Sequence, residues 1–511
     1  MKIRLSTFFL AGLLPGLFQP IRAQDYPIRP VPFTQVAITD DFWRPRLETT
    51  IEVTIPYAFE QCESTGRIRN FAIAGGLAEG SFQTGRPYDD SDVFKIIEGA
   101  AYALRLRPNE KLDRYLDSLI HLIAAAQEDD GYLMTWRTID PGKPPIDWAG
   151  AERWSNLEFG HELYNVGHLY EAAVAHYQAT GKRSLLDVAI KNADLIYRAF
   201  GPGKREGYPG HQGIEIGLVK LYRATGEQRY LELAELFLDR RGHKDWPEGG
   251  NAWETGEYWQ DHVPVTEQTE AVGHAVRAGY MYAGMADVAA ITGRQDYLEA
   301  LEAIWDNVVS QKYYITGGVG ASESGEAFGP NYHLPNAEAY NETCAAIAQD
   351  LWNYRMFLLQ GKSKYIDVLE RTLYNGVLPG QALDGRTFFY PNPLASEGKA
   401  RSPWFGTACC PSNLTRFLPS LAGYLYAVRD DALFVNLFMS NEATMEVAGQ
   451  RVEITQTTRY PWEGKIRLEL TKSGDAPLEL RIRIPGWTGE RPVPSDLYRY
   501  ADQPAGRPYR F

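Results

Sequence analysis

Most of the chain carries apolar residues at the 3.6-residue spacing of amphipathic helices, grouped in pairs of segments around short turns. In four of these pairs the turn ends in a glycine, namely Gly181, Gly226, Gly293 or Gly361. Glycine ends a helix readily because it adopts the left-handed conformation without strain. The pattern therefore predicts four helical hairpins, with a fifth around Pro108 and a further inner helix over 414–426.

Six hairpins of this kind can close into a ring with an inner and an outer layer of helices. The spacing between successive turns is uneven, whereas an open solenoid would require more uniform repeats. We therefore predict a mainly α protein whose catalytic domain is an (α/α)6 barrel over residues 24–430.

The pattern changes to the two-residue alternation of β-strands after residue 430. The predicted strands cover 433–438, 444–447, 451–457, 465–471 and 478–484. They predict a β-sandwich-type domain over 431–511. These strands are few for a sandwich, so we expect this domain to be incomplete.

The N-terminus has the pattern of a secretory signal peptide. Lys2 and Arg4 precede an apolar run over 8–18, and small Ala23 ends a plausible cleavage site. We therefore predict a signal peptide over 1–23 and an exported protein, periplasmic or secreted. No later run of about 18 apolar residues predicts a membrane span.

Composition narrows the class of partner. The 511 residues carry a net charge of −13, which would repel nucleic acids and anionic membranes at long range. The chain also has 12 Trp, 31 Tyr and 21 Phe, whose flat apolar faces suit sugar rings. A small neutral or sugar-like substrate fits this composition better, and the oligomeric state is left open.

Polar residues interrupt the apolar pattern at equivalent places, at or just before the start of successive inner helices. They are Asp92, His161, His211, His274, Glu342, Cys344, Cys409 and Cys410. In a closed barrel with parallel inner helices these positions surround one mouth. A single buried histidine is more often structural, but a shared position in three hairpins favours one common site.

Four of these residues have the chemistry of metal ligands. Glu342, Cys344, Cys409 and Cys410 offer one carboxylate and three thiols, and thiolate-rich tetrahedral sites select zinc. The alternative is a group of reduced, buried and inert thiols. No CxxC spacing occurs, so the pattern is not that of a zinc finger.

A glycine-rich loop over 316–328 carries a candidate general acid, Glu326, with Glu323 as the nearby alternative. We expect the neighbouring aromatic Phe328 to raise the pKa of Glu326, since an apolar environment disfavours the charged carboxylate.

Several motifs together resemble a known family. They are Gly325-Glu326-Ala327-Phe328, Glu342-Thr343-Cys344-Ala345, Glu267-Gln268 with Val272-Gly273-His274, Pro403-Trp404-Phe405-Gly406 leading into Cys409-Cys410-Pro411, and Leu480-Arg481-Ile482-Arg483 ending in Ile484-Pro485-Gly486-Trp487. From about residue 30 onward the chain resembles the β-L-arabinofuranosidases of glycoside hydrolase family 127 and its relative, family 146.

This resemblance implies a retaining hydrolase in which a zinc-bound cysteine attacks the anomeric carbon. Cys409 would be the nucleophile and Glu326 the general acid and base. The zinc ligands would be Glu342, Cys344, Cys409 and Cys410, and the residues at or near the sugar would be His161, His211, His274, Glu370 and Tyr390. Thr407 stands where some relatives have another cysteine.

Alternative functions remain open on the sequence alone. The same machinery could act on another furanose, such as an acidic deoxy sugar of pectin, in which case extra arginines should line the pocket. An (α/α)6 sugar epimerase or polysaccharide lyase would need no metal and would tolerate loss of Cys409. A glycan-binding protein with structural zinc would bind without turnover.

Overall fold

The computed structural model describes residues 25–247, 249–489 and 491–502. The predicted signal peptide over 1–23 lies outside the described residues. The α-helices in chain order are α1 (Trp43–Thr49), α2 (Ile55–Ser64), α3 (Arg67–Ala74), α4 (Asp90–Leu106), α5 (Glu110–Ala126), α6 (Thr135–Ile139), α7 (Glu162–Thr180), α8 (Ser184–Phe200), α9 (Ile214–Thr225), α10 (Gln228–Asp239), α11 (Ala275–Thr292), α12 (Gln295–Asn307), α13 (Thr343–Gln360), α14 (Ser363–Thr372) and α15 (Cys409–Phe417).

The inner layer is a closed ring of six helices. Helices α4, α7, α9, α11, α13 and α15 each pack against the next, and α15 packs against α4. Nearly every residue of α7, α11 and α13 is buried, because these helices are covered on both sides. The predicted (α/α)6 barrel is therefore confirmed.

The sixth hairpin differs from the prediction. The last inner helix covers Cys409–Phe417 and continues as a 3-10 segment over Leu418–Tyr424, so the predicted helix over 414–426 is wrong in its bounds. Pro419 lacks the N–H that an α-helix needs at this point, which accounts for the early end. The N-terminal helix α2 packs against α15 and α4 and completes the outer layer there.

The β region consists of two four-stranded sheets, in the orders β1-β3-β4-β8 and β2-β5-β6-β7. Its strands are β1 (Arg29–Pro30), β2 (Val36–Ile38), β3 (Tyr426–Arg429), β4 (Ala432–Val435), β5 (Asn441–Val447), β6 (Gln450–Thr458), β7 (Ile466–Lys472) and β8 (Glu479–Ile482). Strands β1 and β2 join antiparallel to β3 and β5. They are too short to show a two-residue alternation, so the sequence pattern did not reveal them.

None of the helices in the described parts of the chain is long and apolar enough to cross a membrane. The inner helices begin at one mouth of the barrel, where a large cavity opens.

Candidate active site

A cavity of about 880 Å³ lies at the mouth formed by the N-termini of the inner helices. The predicted site residues that line it are Asp92, His161, His211, His274, Glu326, Glu342, Cys344, Tyr390 and Cys409. Cys410 is fully buried beside them, with its sulfur 3.3 Å from that of Cys344. The structure therefore brings residues from eight separate parts of the chain into one site.

The local backbone explains how the helix starts present these side chains. His161, His274 and Glu342 are the residues immediately before α7, α11 and α13. His161 has a left-handed backbone, with φ of 60°, which turns its ring away from the helix axis. Cys409 is the first residue of α15. Because helical side chains lean toward the N-terminus and no helical turn precedes these positions, their side chains are free to extend into the mouth.

Two histidines are held in one tautomer by backbone carbonyls. Nδ1 of His161 contacts the carbonyl oxygen of Phe159, and Nδ1 of His211 lies 2.7 Å from that of Gln212. A carbonyl only accepts, so each Nδ1 carries the hydrogen and each Nε2 is left as an acceptor. Burial lowers the pKa of His161 to about 3 and that of His211 well below its usual value. Both rings are neutral acceptors for hydroxyl groups.

His274 has the opposite tautomer. Its Nδ1 accepts from the backbone N–H of Val276 at 3.2 Å, so its Nε2 carries the hydrogen. That nitrogen lies 2.8 Å from Oε2 of Glu326. The hydroxyl of Tyr340 donates to Oε1 of the same carboxylate at 2.9 Å. Glu326 is thus oriented through both oxygens.

The expectation of a raised pKa at Glu326 is wrong. Burial does raise this pKa, but the hydrogen bonds from His274 and Tyr340 and the positive charge of Arg277 lower it by more. The net pKa lies below the usual value of a glutamate, because donors that face the charged form outweigh desolvation.

The four candidate ligands form one compact cluster, with their ligand atoms within 4.8 Å of one another. The sulfurs of Cys409 and Cys410 are 3.9 Å apart, and each lies 3.4 to 3.5 Å from Oε1 of Glu342. Two thiolates on one tetrahedral zinc would be separated by about 3.7 Å, given a Zn–S bond of about 2.3 Å. The spacing of the cluster therefore fits a tetrahedral metal ion.

The electrostatics of the cluster also favour a cation. Burial, together with the charges of Glu326 and Cys409, raises the pKa of Glu342, and burial raises the pKa of Cys409 and Cys410. Oε2 of Glu342 is buried without a hydrogen-bond partner. Four acidic groups packed this closely cannot all ionise unless a positive charge lies among them. The residues present thus form a possible metal-binding site.

The segment that carries Cys409 is tied to the barrel wall by Arg67 and Asp92. Arg67 donates to the carbonyl oxygen of Gly406 at 2.7 Å and to Asp92 at 3.0 Å. The hydroxyl of Ser412, three residues after Cys409, donates to Asp92 at 3.1 Å. The Cys409 sulfur lies 3.0 Å from the hydroxyl of Tyr390. These contacts hold the sulfur at the cavity wall.

Thr407 lines the cavity without joining the cluster. Its hydroxyl lies 3.0 Å from that of Tyr88. The replacement of a cysteine found in some relatives therefore removes none of the four candidate ligands.

Glu370, expected at or near the sugar, is not among the residues that line the cavity. It lies on the outer helix α14, where it accepts from the guanidinium of Arg483, from Tyr460 at 2.8 Å and from Trp487 at 3.1 Å. All three partners belong to the segment after β5. Glu370 therefore joins the barrel to the β region. Its match to a family position did not predict this location.

We expect Glu370→Gln to lower the free energy of unfolding by about 2 kcal/mol, because it removes one of the two carboxylates that pair with buried Arg483 and leaves Asp367, at 2.7 Å, as the other. Chemical denaturation measures this loss. The control is Glu479→Gln, which breaks the exposed pair with Arg481 and should leave the free energy of unfolding nearly unchanged, since solvent screens that pair. A raised KM with unchanged stability would instead favour contact with the sugar.

Several cavity residues were missed by the sequence reasoning. Arg277 follows His274 by one helical turn and donates to the carbonyl oxygen of Gly210. A charge in the first turn of α11, a helix whose one other charged residue is Asp287, was an available signal for it. Tyr340, Trp148 and Trp253 also line the cavity, but they lie in loops whose path no periodic pattern predicts.

Comparison with protein families gives two adjacent matches. The model described as β-L-arabinofuranosidase, GH127 catalytic domain, matches residues 35–423. The model described as β-L-arabinofuranosidase, GH127 middle domain, matches residues 432–496.

Individual relatives agree with these matches. The chain is 36% identical over 506 residues to a non-reducing end β-L-arabinofuranosidase of Bifidobacterium longum subsp. longum, covering 89% of this chain and 75% of the relative. A solved GH127 β-arabinofuranosidase is 55% identical, with a TM-score of 0.89, over 94% of this chain and 74% of the other. A GH127 β-L-arabinofuranosidase from Geobacillus stearothermophilus T6 is 42% identical, with a TM-score of 0.83, over 88% of this chain and 75% of the other.

Proposed function

Because the chain belongs to the GH127 β-L-arabinofuranosidases, a family of glycoside hydrolases, we propose that it releases terminal β-L-arabinofuranosyl residues from plant glycans with retention of configuration. In this proposal Cys409 is the nucleophile and Glu326 is the general acid and base. The observation that carries it is that both side chains line one cavity, with Glu342 between them. A Glu342 oxygen lies 3.4 Å from the Cys409 sulfur and within 4.8 Å of a Glu326 oxygen.

The metal that best fits the cluster is Zn²⁺, since three thiols and one carboxylate are soft enough to prefer it to magnesium or calcium. Zn²⁺ bound there would keep the thiol of Cys409 deprotonated at neutral pH, where a free thiol is mostly protonated. Tyr390 places a hydroxyl 3.0 Å from the same sulfur and orients it toward the cavity.

In the first step the sulfur of Cys409 forms a bond to the anomeric carbon while the bond to the leaving oxygen breaks. Glu326 gives its proton to that oxygen. A sugar in the cavity excludes water from Glu326, and this desolvation favours the form that carries the proton. The product is a thioglycosyl bond to Cys409 and a released alcohol.

In the second step water attacks the anomeric carbon and gives a proton to Glu326, while the carbon–sulfur bond breaks and Cys409 leaves as the thiolate. Each step inverts the anomeric carbon, so the two together retain its configuration. His274 and Tyr340 hold Glu326 in place through both steps. The Nε2 atoms of His161 and His211 are suited to accept hydrogen bonds from sugar hydroxyls.

The lining favours a neutral furanose over an acidic one. Among the described residues Arg277 is the one arginine that lines the cavity, and its guanidinium already donates to Gly210 and lies over the ring of Tyr258. Asp92, Glu326 and Glu342 line the same space. Lys399 adds a second positive charge to the lining and Glu323 a fourth carboxylate, so a carboxylated sugar would still meet more negative than positive groups there.

We also propose that the protein acts after export, in the periplasm or outside the cell, on arabinofuranose-containing glycans. The support for export is the signal-like pattern over 1–23.

The test of this function is hydrolysis of 4-nitrophenyl β-L-arabinofuranoside by the purified chain in a reducing buffer, with zinc measured on the same sample. We expect release of nitrophenol and about one zinc per chain, because one four-ligand site holds one ion. Removal of zinc by a chelator should abolish hydrolysis, and added Zn²⁺ should restore it. Hydrolysis that persists in a zinc-free sample would contradict the thiolate mechanism, and zinc without hydrolysis would favour a glycan-binding role.

A further inference from the structure

One wall of the cavity is formed by three aromatic side chains, those of Trp148, Phe159 and Trp253. We call these three residues the aromatic wall. Ring centroids of Trp148 and Phe159 are 5.9 Å apart, and those of Phe159 and Trp253 are 6.3 Å apart with nearly parallel planes. All three line the cavity, and 37% of Trp148 is exposed. Large aromatic faces left open in a cavity are typical of ligand-binding surfaces.

One end of the aromatic wall, at Trp253, lies beside the general acid, and the other end, at Trp148, lies beside His161 with ring centroids 6.5 Å apart. Trp253 packs on Tyr258 with ring centroids 3.4 Å apart. A Cβ added to Gly325, the residue before Glu326, would meet Tyr258 at 3.3 Å and Trp253 at 3.5 Å. Gly325 also has a φ of 72°, so the loop depends on glycine to bring Glu326 against these rings.

The position of the acid determines where the leaving group lies. Glu326 has to reach the departing oxygen, so the group attached to that oxygen extends on the side of Glu326. Cys409 attacks from the opposite face of the sugar, beside Tyr390 and Phe405. Trp253 is thus on the side of the cavity that the leaving group occupies, and the wall extends from it through Phe159 to Trp148.

We propose that the aromatic wall binds the ring of the sugar that carries the arabinofuranosyl residue, so that the enzyme prefers a glycosidic leaving group. This inference rests on the proposed function. One arabinofuranosyl unit occupies a small part of the cavity of about 880 Å³, whose size suits a ligand of several rings. The C–H face of a sugar ring is apolar and flat enough to pack on an aromatic face.

The test compares two substrates with the same arabinofuranosyl unit. One is methyl β-L-arabinofuranoside, whose leaving group has no ring, and the other is a disaccharide with this unit β-linked to L-arabinose. In Trp148→Ala we expect the ratio of kcat/KM for the disaccharide to that for the methyl glycoside to fall about tenfold, which equals about 1.4 kcal/mol of lost transition-state stabilisation from one stacked ring. Trp148→Phe should restore most of the ratio, because it keeps an aromatic face.

Trp148 is the informative position because its exposed ring contributes little to the core, whereas loss of Trp253 could displace Glu326 itself. The matched control is Trp462→Ala, which removes a tryptophan that is 64% exposed and lies outside the cavity lining. This control should leave the substrate ratio at the wild-type value.

The outcomes separate the two proposals. Wild-type protein that hydrolyses both substrates, with an unchanged ratio in Trp148→Ala, overturns the aromatic wall as a leaving-group site and leaves the proposed function intact. An equal loss on both substrates also overturns it, since the side chain would then act on the arabinofuranosyl unit or on the fold. Wild-type protein that hydrolyses neither substrate overturns the proposed function and the inference that rests on it.

Discussion

We expect Cys409→Ser to lower kcat at least about a thousandfold while the protein stays folded, as removal of a nucleophile typically does. Serine is nearly the size of cysteine, but its hydroxyl stays protonated at neutral pH and is a poor nucleophile without an adjacent base. The described hydrogen bonds of the Cys409 sulfur are with Glu342, Tyr390 and Cys410. Glu342 and Cys410 cannot serve as that base while they bind a metal, and burial raises the pKa of Tyr390, so its hydroxyl stays protonated. Initial rates on the nitrophenyl arabinofuranoside measure the loss, and circular dichroism checks the fold.

The matched control for this change is Cys62→Ser. Cys62 is a fully buried cysteine on α2, outside the metal cluster and the cavity lining. Its replacement places a hydroxyl in the core and should reduce stability by about 1 to 3 kcal/mol, with activity per folded molecule kept. Near-normal hydrolysis by Cys409→Ser would remove the nucleophile assignment and show that another group of the cavity does this work.

Glu326→Gln should show a dependence on the leaving group. For a sugar or alkyl leaving group we expect kcat/KM to fall by about 10² to 10⁴, because the departing oxygen needs a proton. For the nitrophenyl glycoside kcat/KM should fall much less, since nitrophenolate departs without a proton. Its kcat should still fall, because Glu326 is also the base that activates water in the second step. Steady-state kinetics on both substrates measure this contrast.

Glu323→Gln is the matched control, since Glu323 lies in the same loop three residues earlier and also lines the cavity. It should keep the wild-type ratio between the two leaving groups. If Glu326→Gln lowered kcat/KM equally for both substrates, Glu326 would be a binding residue. If Glu323→Gln produced the contrast instead, the acid would be Glu323.

The sequence alone was sufficient for the barrel and for most of the cavity. Amphipathic periodicity and the glycine ends of hairpins are local properties, so they are readable without tertiary contacts. His161, His211 and His274 all lie at or just before helix starts. Because the inner helices of a closed ring start at the same end, this repeated position predicted one common site at the mouth. The four candidate ligands were likewise recognisable from residue type, although they come from two distant segments.

Other features depend on contacts between segments far apart in the chain. The sequence motif placed Glu370 near the sugar, but tertiary packing pairs it with Arg483 and Tyr460 between the barrel and the β region. The pKa of Glu326 was expected to rise from a neighbouring aromatic, whereas the donors that lower it, His274 and Tyr340, meet it only in the folded protein.

The sequence by itself thus determined the helical hairpins, the (α/α)6 class and the residue types that converge at its mouth, because these follow from local periodicity and from ring closure. Only the tertiary structure decided that β1 and β2 join different sheets, which tautomer each histidine adopts, and that the aromatic wall reaches Glu326. These depend on distances of a few ångströms between residues separated by many positions, and no local pattern encodes such distances.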